Sequence, residues 1–227
     1  MKRIGLIVAV EMDAVKNALK EPLWEEEQYG FNLSCYRLKD CELIVAHCGV
    51  GQLAASEASE YLILRYGVSM LFNFGVVGGL TEEISSTPFV FVKEVVHSDA
   101  DLNFIDGLPL GQHDGYDSPY LTLDEDLLKI AKQTLPCVPL VRCASGDGFI
   151  GKEEDKRNLH RTFDADICDM ELAGVVYCAK RFGVKVFSCK MVADSIQGGK
   201  EEFYEKKDET SAQCFDLLLK MEGLFKE

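Results

Sequence analysis

The run Ile4-Gly5-Leu6-Ile7-Val8-Ala9-Val10, passing directly into Glu11-Met12-Asp13-Ala14-Val15, decides the class of fold. A continuous, β-branched run without alternation predicts a strand buried on both faces, and the residues after it carry a helical pattern. Strand, turn and helix in that order begin a parallel sheet. Residues 31–48 predict a hairpin broken around Lys39-Asp40. Gly49-Val50-Gly51 then opens a helix through Arg65, which Gly67 stops. The next buried strand is 69–74, and Asn73-Phe74-Gly75-Val76-Val77-Gly78-Gly79-Leu80 predicts a glycine-rich turn at its end, where backbone can approach a ligand. Further strands are predicted at 89–96, 140–144 and 184–192. Thr122-Leu123-Asp124-Glu125 has capping-box spacing, the charged residues 152–161 predict a solvated helix, and a last helix starts near 202. The polar stretch 97–118 is too long for a connector and reads as a functional loop or an interface arm. Strands alternating with amphipathic helices define an α/β fold: a single domain over 1–227, with a twisted, mostly parallel mixed sheet flanked by helices.

Composition narrows the function. Of 227 residues, 47% are hydrophobic and 27% charged, so a full core is available. No apolar run spans a bilayer and no leader pattern opens the chain, so the expectation is a soluble, cytoplasmic protein without membrane contact. The formal charge of −14 argues against nucleic acid, whose binding draws on clustered Lys and Arg. A small neutral or cationic ligand fits better. The nine cysteines are scattered with no CxxC spacing, and read as reduced core residues; Cys48 and Cys189 are the only nucleophile candidates. His97-Ser98-Asp99-Ala100-Asp101 lacks the spacing of a zinc or calcium site, so no metal is expected. Neither glycine segment is a GxGxxG or a P-loop.

Three acids stand where strands end and α/β ligand sites begin. Asp13 falls in the first helical turn after the first strand, where it is either a base aimed at a ligand or an acid suiting the helix dipole. Glu171, in Asp169-Met170-Glu171, starts a helix and carries the same two readings. Asp194 follows a mostly apolar run and precedes Ser195-Ile196-Gln197-Gly198-Gly199, read as a flexible loop able to close over a ligand. Phe149, after Ser145-Gly146-Asp147-Gly148, either stacks on a base or belongs to the core.

In order, AVEMDAV, CGVGQLAAS, NFGVVGGL, HSDAD, SGDGFI, DMELAGV and VADS resemble the successive signatures of the 5'-methylthioadenosine/S-adenosylhomocysteine nucleosidases, within the purine and uridine phosphorylase family. The resemblance implies a cytoplasmic homodimer of methionine salvage that cleaves the N-glycosidic bond of an adenine nucleoside without a cofactor. Carried over by position, Asp194 protonates the purine at N7, Phe149 stacks on adenine, and the Ile150 backbone reads the base edge. Met170 and Glu171 lie beneath the ribose, Glu171 accepting from its hydroxyls. Leu102, in the strip 102–105, covers the 5' group of the partner's ligand, and Phe203 lines that pocket.

Three positions depart from that pattern around the nucleophilic water. The usual general-base glutamate is Asp13, the usual small hydroxyl residue is Val76, and the usual arginine is Lys190. A base shortened by one methylene withdraws its oxygens by about 1.5 Å, against a general-base contribution of roughly 10²- to 10⁴-fold. Three functions follow from this pattern: hydrolysis of a purine nucleoside, phosphorolysis of the same bond, or binding of the nucleoside without turnover. Phosphorolysis needs a cluster of cationic donors, of which only Lys190 is near.

Overall fold

The computed structural model describes residues 1–226; Glu227, the last residue of the expected 1–227 domain, lies outside the described residues. The chain forms β1 (Lys2–Val8) and α1 (Met12–Leu19), then three successive strands, β2 (Trp24–Gln28), β3 (Phe31–Arg37) and β4 (Cys41–His47). α2 (Gln52–Tyr66) leads to β5 (Met70–Gly79), and α3 (Glu82–Ser85) to β6 (Phe89–His97). The polar stretch holds α4 (Asn103–Asp106) and β7 (Tyr120–Thr122). α5 (Glu125–Thr134), β8 (Leu140–Ser145), α6 (Glu153–Phe163), β9 (Ile167–Asp169), α7 (Leu172–Phe182), β10 (Lys185–Asp194), α8 (Lys200–Lys220) and a 3-10 turn (Glu222–Phe225) complete it.

β1 is central. It pairs in parallel with β4 on one side and β5 on the other, and β5 pairs in parallel with β10. One sheet runs β10-β6-β8-β9-β5-β1-β4-β3-β2, and because β10 also pairs with β5, its first five strands close into a ring. Closure removes two exposed edges, and β1 to β4 extend from the ring as an open wing. Both faces of β1 are covered, which is why its sequence is continuously apolar. Ile4, Leu6 and Val8 pack with Val15 of α1, Leu128 of α5 and Phe215 of α8, whereas Ile7 packs with Ala55 and Leu62 of α2 and Val176 of α7. Each fully buried Leu, Ile or Phe contributes about 1.5–3 kcal/mol over its exposed state. α2 and α7 meet closely at Gly174, where any Cβ would collide with the Gln52 carbonyl oxygen; the Gly174 N–H donates to Gln52 Oε1 at 2.6 Å.

Four local expectations change. Asn73 to Gly79 is strand rather than turn, because β10 pairs with β5 from Met70 as far as Gly78. The helix after Thr122 starts at Glu125 and is capped by Asp124, whose carboxylate accepts the Leu127 N–H at 3.0 Å, while Thr122 belongs to β7. β2 and β7 were not anticipated: β2, Trp-Glu-Glu-Glu-Gln, is an exposed edge strand whose acids hide any alternation. The 195–199 loop is pinned rather than flexible, as described below. Among the described residues no helix is long and apolar enough to cross a membrane.

Candidate active site

β1, β5 and β10 run parallel, so their C-terminal ends lie together, and β9 meets the end of β5 at Gly78↔Cys168. A pocket opens there, lined by Glu11, Val76, Phe149, Ile150, Met170, Glu171, Asp194 and Phe203 among others. Of the residues singled out in the sequence, Val76, Phe149, Ile150, Met170, Glu171, Asp194 and Phe203 are thus brought together. Lys190 is buried behind the lining, and Leu102 and Asp13 are outside it.

Asp13 is solvent-exposed on α1. α1 begins at Met12 and buries Met12, Ala14 and Val15, so the helical turn carries Asp13 to the outer side. Glu11, two residues earlier and not yet helical, takes the pocket instead, at only 5% exposure. Its carboxylate is fixed by two backbone donors: the Val76 N–H reaches Oε1 at 3.2 Å and the Val10 N–H reaches Oε2 at 3.0 Å. Thus Val76, lacking the expected hydroxyl, still holds the acid through its main chain. Gly75 makes room, since a Cβ there would run into Glu11 Oε1. The signal for Glu11 was present in the sequence, as the first acid after the buried strand.

Behind the pocket lies a polar chain. Lys190 Nζ pairs with Asp169 Oδ2 at 2.8 Å, both side chains being almost wholly buried. Asp169 Oδ1 accepts the Ser145 hydroxyl at 2.5 Å and the Leu172 N–H at 3.3 Å, and Ser145 Oγ in turn accepts from Gln52 Nε2 at 2.8 Å. Burial alone would raise Asp169, but the Lys190 ammonium and these donors hold it below the usual carboxylate range. Burial would likewise lower Lys190, but the Asp169 and Glu171 carboxylates keep it above the usual lysine range. Glu171 precedes α7 and accepts the Gly51 N–H at 3.2 Å. Burial, then the Asp169 charge, pushes it up to about 8, which favours its protonated form at neutral pH.

Asp194 ends β10 at 2% exposure. Burial raises it above the ordinary aspartate value, opposed by a buried ion pair with Lys156 of α6. Lys156 was missed because it sits in the highly charged segment 152–161, read as solvated; it instead turns inward to Asp194 at the end of β10. Phe149, half-exposed, meets Phe203 edge-on at 5.7 Å between ring centroids. Cys48 is no nucleophile at neutral pH, because burial and the Glu171 charge push its thiol up to about 12, and burial likewise raises Cys189 well above the ordinary thiol range. The Asp99 carboxylate in His97-Ser98-Asp99 accepts the Asp147 N–H at 2.5 Å, and Asp147 Oδ1 accepts the Gln52 N–H at 2.7 Å, so these motifs brace the pocket's loops. Among the described residues no cluster of three or more metal-ligating side chains occurs.

The sheet thus closes into a ring that carries an acidic, aromatic pocket at its strand ends. The chain belongs to the phosphorylase superfamily, whose family model matches residues 3–221. An aminodeoxyfutalosine nucleosidase of Helicobacter pylori is 28% identical over 76% of this chain and 77% of its own length. A 5'-methylthioadenosine/S-adenosylhomocysteine nucleosidase of Staphylococcus haemolyticus is 25% identical over 96% and 99%. The native structure of futalosine hydrolase of Helicobacter pylori superposes with a TM-score of 0.91 at 23% identity, covering 98% of this chain and 97% of that one.

Proposed function

We propose that the protein is an N-glycosyl hydrolase of adenine nucleosides, such as 5'-methylthioadenosine or S-adenosylhomocysteine, with Glu11 as general base and Asp194 as general acid. The observation that carries this reading is the placement of Glu11, Glu171 and Asp194 in one pocket beside Phe149 and Phe203, with no lysine, arginine or histidine in its lining among the described residues. Such a lining repels phosphate and accepts water, so hydrolysis is favoured over phosphorolysis. The nucleosidase names of the relatives support the same choice.

In this mechanism the adenine stacks at Phe149, where the Ile150 backbone is in reach of its edge, and Met170 and Glu171 lie against the ribose. As the C1'–N9 bond breaks, its electrons pass to the base, and the sugar becomes oxocarbenium-like. Asp194 gives its proton to N7, which stabilises the leaving base. Glu11 takes a proton from water as the water oxygen bonds to C1'. Return of one proton from Glu11 to Asp194 through solvent resets the site, so the net reaction consumes one water. Glu171, raised to about 8, hydrogen-bonds the ribose hydroxyls, donating to them when protonated and accepting from them when ionised. No cofactor enters these steps.

The reading extends to one catalytic domain over 1–227, a cytoplasmic homodimer, and a role in methionine salvage. Phe104 and Ile105, next to Leu102 on the arm, are fully or largely exposed, as a strip covering a partner's 5' pocket needs. The test is chromatography of free base released from 5'-methylthioadenosine, S-adenosylhomocysteine, aminodeoxyfutalosine, adenosine and inosine. Adenine release in phosphate-free buffer is expected; release only with phosphate, or none from any nucleoside, overturns the assignment.

A further inference from the structure

Lys156 is wholly buried, in the first turn of α6, and spends all three of its ammonium donors inside the protein. It pairs with Asp194 Oδ2 and also donates to the Ser195 carbonyl at 2.6 Å and the Gly198 carbonyl at 3.3 Å. Burying a lysine is costly unless the charge is paired and its donors satisfied, and here both conditions are met. The segment it grips is fastened elsewhere as well. The Ser195 N–H and hydroxyl donate to Glu202 Oε2 at 2.8 and 2.9 Å, and the Ile196 N–H donates to Ser85 Oγ at 2.9 Å. These three hydrogen bonds anchor the loop independently of the cation. The cation's contribution lies in its charge against Asp194.

We propose that Lys156 is a positioning residue for the acid: it fixes Oδ2 of Asp194 and supplies the positive charge against which Asp194 becomes a carboxylate when it releases its proton. This rests on the reading of Asp194 as the proton donor. Before transfer the pair is a carboxylic acid beside an ammonium; after transfer the proton is on the leaving base and the pair is carboxylate and ammonium. The second state gains a Coulomb attraction that the first lacks, so the cation lowers the barrier to donation. The other titratable groups facing Asp194 do not supply this charge. They are Cys168 of β9 and Glu202 of α8, the latter itself paired with Lys206 at 2.5 Å.

The sign of the pH effect is fixed. A donor acts only while protonated, so activity falls as pH rises through its pKa; removing the neighbouring cation raises that pKa and weakens the acid. Lys156→Met removes charge and hydrogen bonds, and Lys156→Gln removes charge while keeping a hydrogen-bonding amide. With 5'-methylthioadenosine as substrate, both are expected to lower kcat about tenfold or more. Both should move the alkaline limb of the kcat profile upward by about one to three pH units, with KM within a few-fold. Carboxyl carbon NMR of Asp194 in the unliganded protein should show its titration moving upward in both variants. A rate loss in Lys156→Met that Lys156→Gln restores, with the limb and the Asp194 titration unmoved, overturns the proposal and leaves Lys156 as a loop fastening. If the parent protein releases no base, the hydrolase reading fails, while the NMR titration still decides the role of Lys156.

Discussion

Replacing Glu11 by Gln separates the two acids that flank Met12. Glu11 Oε1 and Oε2 each accept one backbone N–H, from Val76 at 3.2 Å and Val10 at 3.0 Å. The glutamine keeps the shape but has one acceptor oxygen, so one of the two amides then faces an NH2 group, at a cost of about 1–3 kcal/mol. The variant also has no proton acceptor for water, which removes roughly 10²- to 10⁴-fold of rate, or about 2.7–5.4 kcal/mol of barrier. Asp13→Asn alters an exposed side chain outside the pocket and should leave stability within about 0.5 kcal/mol and kcat within about twofold. The assay is initial-rate adenine release at saturating 5'-methylthioadenosine, with thermal unfolding of each variant alongside. A Glu11→Gln protein that turns over normally, or an Asp13→Asn protein that loses two orders of magnitude, refutes the placement of the base.

Gly75→Ala should reproduce the kinetic loss of Glu11→Gln with the acid still present, because the new Cβ claims the position of Oε1; normal turnover in the same assay would mean the acid has room to move. Lys190→Met strands the buried Asp169 carboxylate and should cost about 3–5 kcal/mol, lowering Tm by about 6–20 °C in a scan at neutral pH. Glu171 is raised to about 8 when folded and titrates near the ordinary glutamate value when unfolded. The folded state therefore binds the extra proton between those values, so its contribution to stability is lost as pH rises from about 5 to 8. Tm against pH should fall across that window, and less steeply in Glu171→Gln. Asp194→Asn should nearly abolish base release at every pH, since its amide cannot donate an ionisable proton; residual turnover with an unchanged pH profile would assign the proton elsewhere.

Much of the fold is legible because the central strands bury both faces and leave apolar runs, continuous at Ile4 to Val8 and broken only by Ser188 and Lys190 at Val186 to Val192. β2 is not legible, since an edge strand of three glutamates has neither an apolar face nor a turn signal. The run 73–79 misleads in the opposite direction: its glycines mimic a turn, yet they serve close packing within a strand, with Gly75 seating Glu11 and Gly78 lying against Cys168 and Asp194. In the site, the residues that end long strands or start long helices, Asp194 and Glu171, are readable by position. Glu11 and Asp13 are two residues apart at a strand-to-helix turn, and which of them faces the pocket depends on the first helical residue, the least readable feature of a sequence. Lys156 is hidden for a different reason, since one inward-facing lysine in a charged helix leaves no pattern.

The central claim is that water, activated at Glu11, attacks C1' of an adenine nucleoside. The most direct measurement is turnover of 5'-methylthioadenosine in ¹⁸O-water, with and without phosphate, followed by mass spectrometry of the sugar product under conditions that slow its exchange with solvent. One ¹⁸O at C1' is expected, at a rate that phosphate does not change. A sugar 1-phosphate carrying no solvent oxygen at C1' would contradict it.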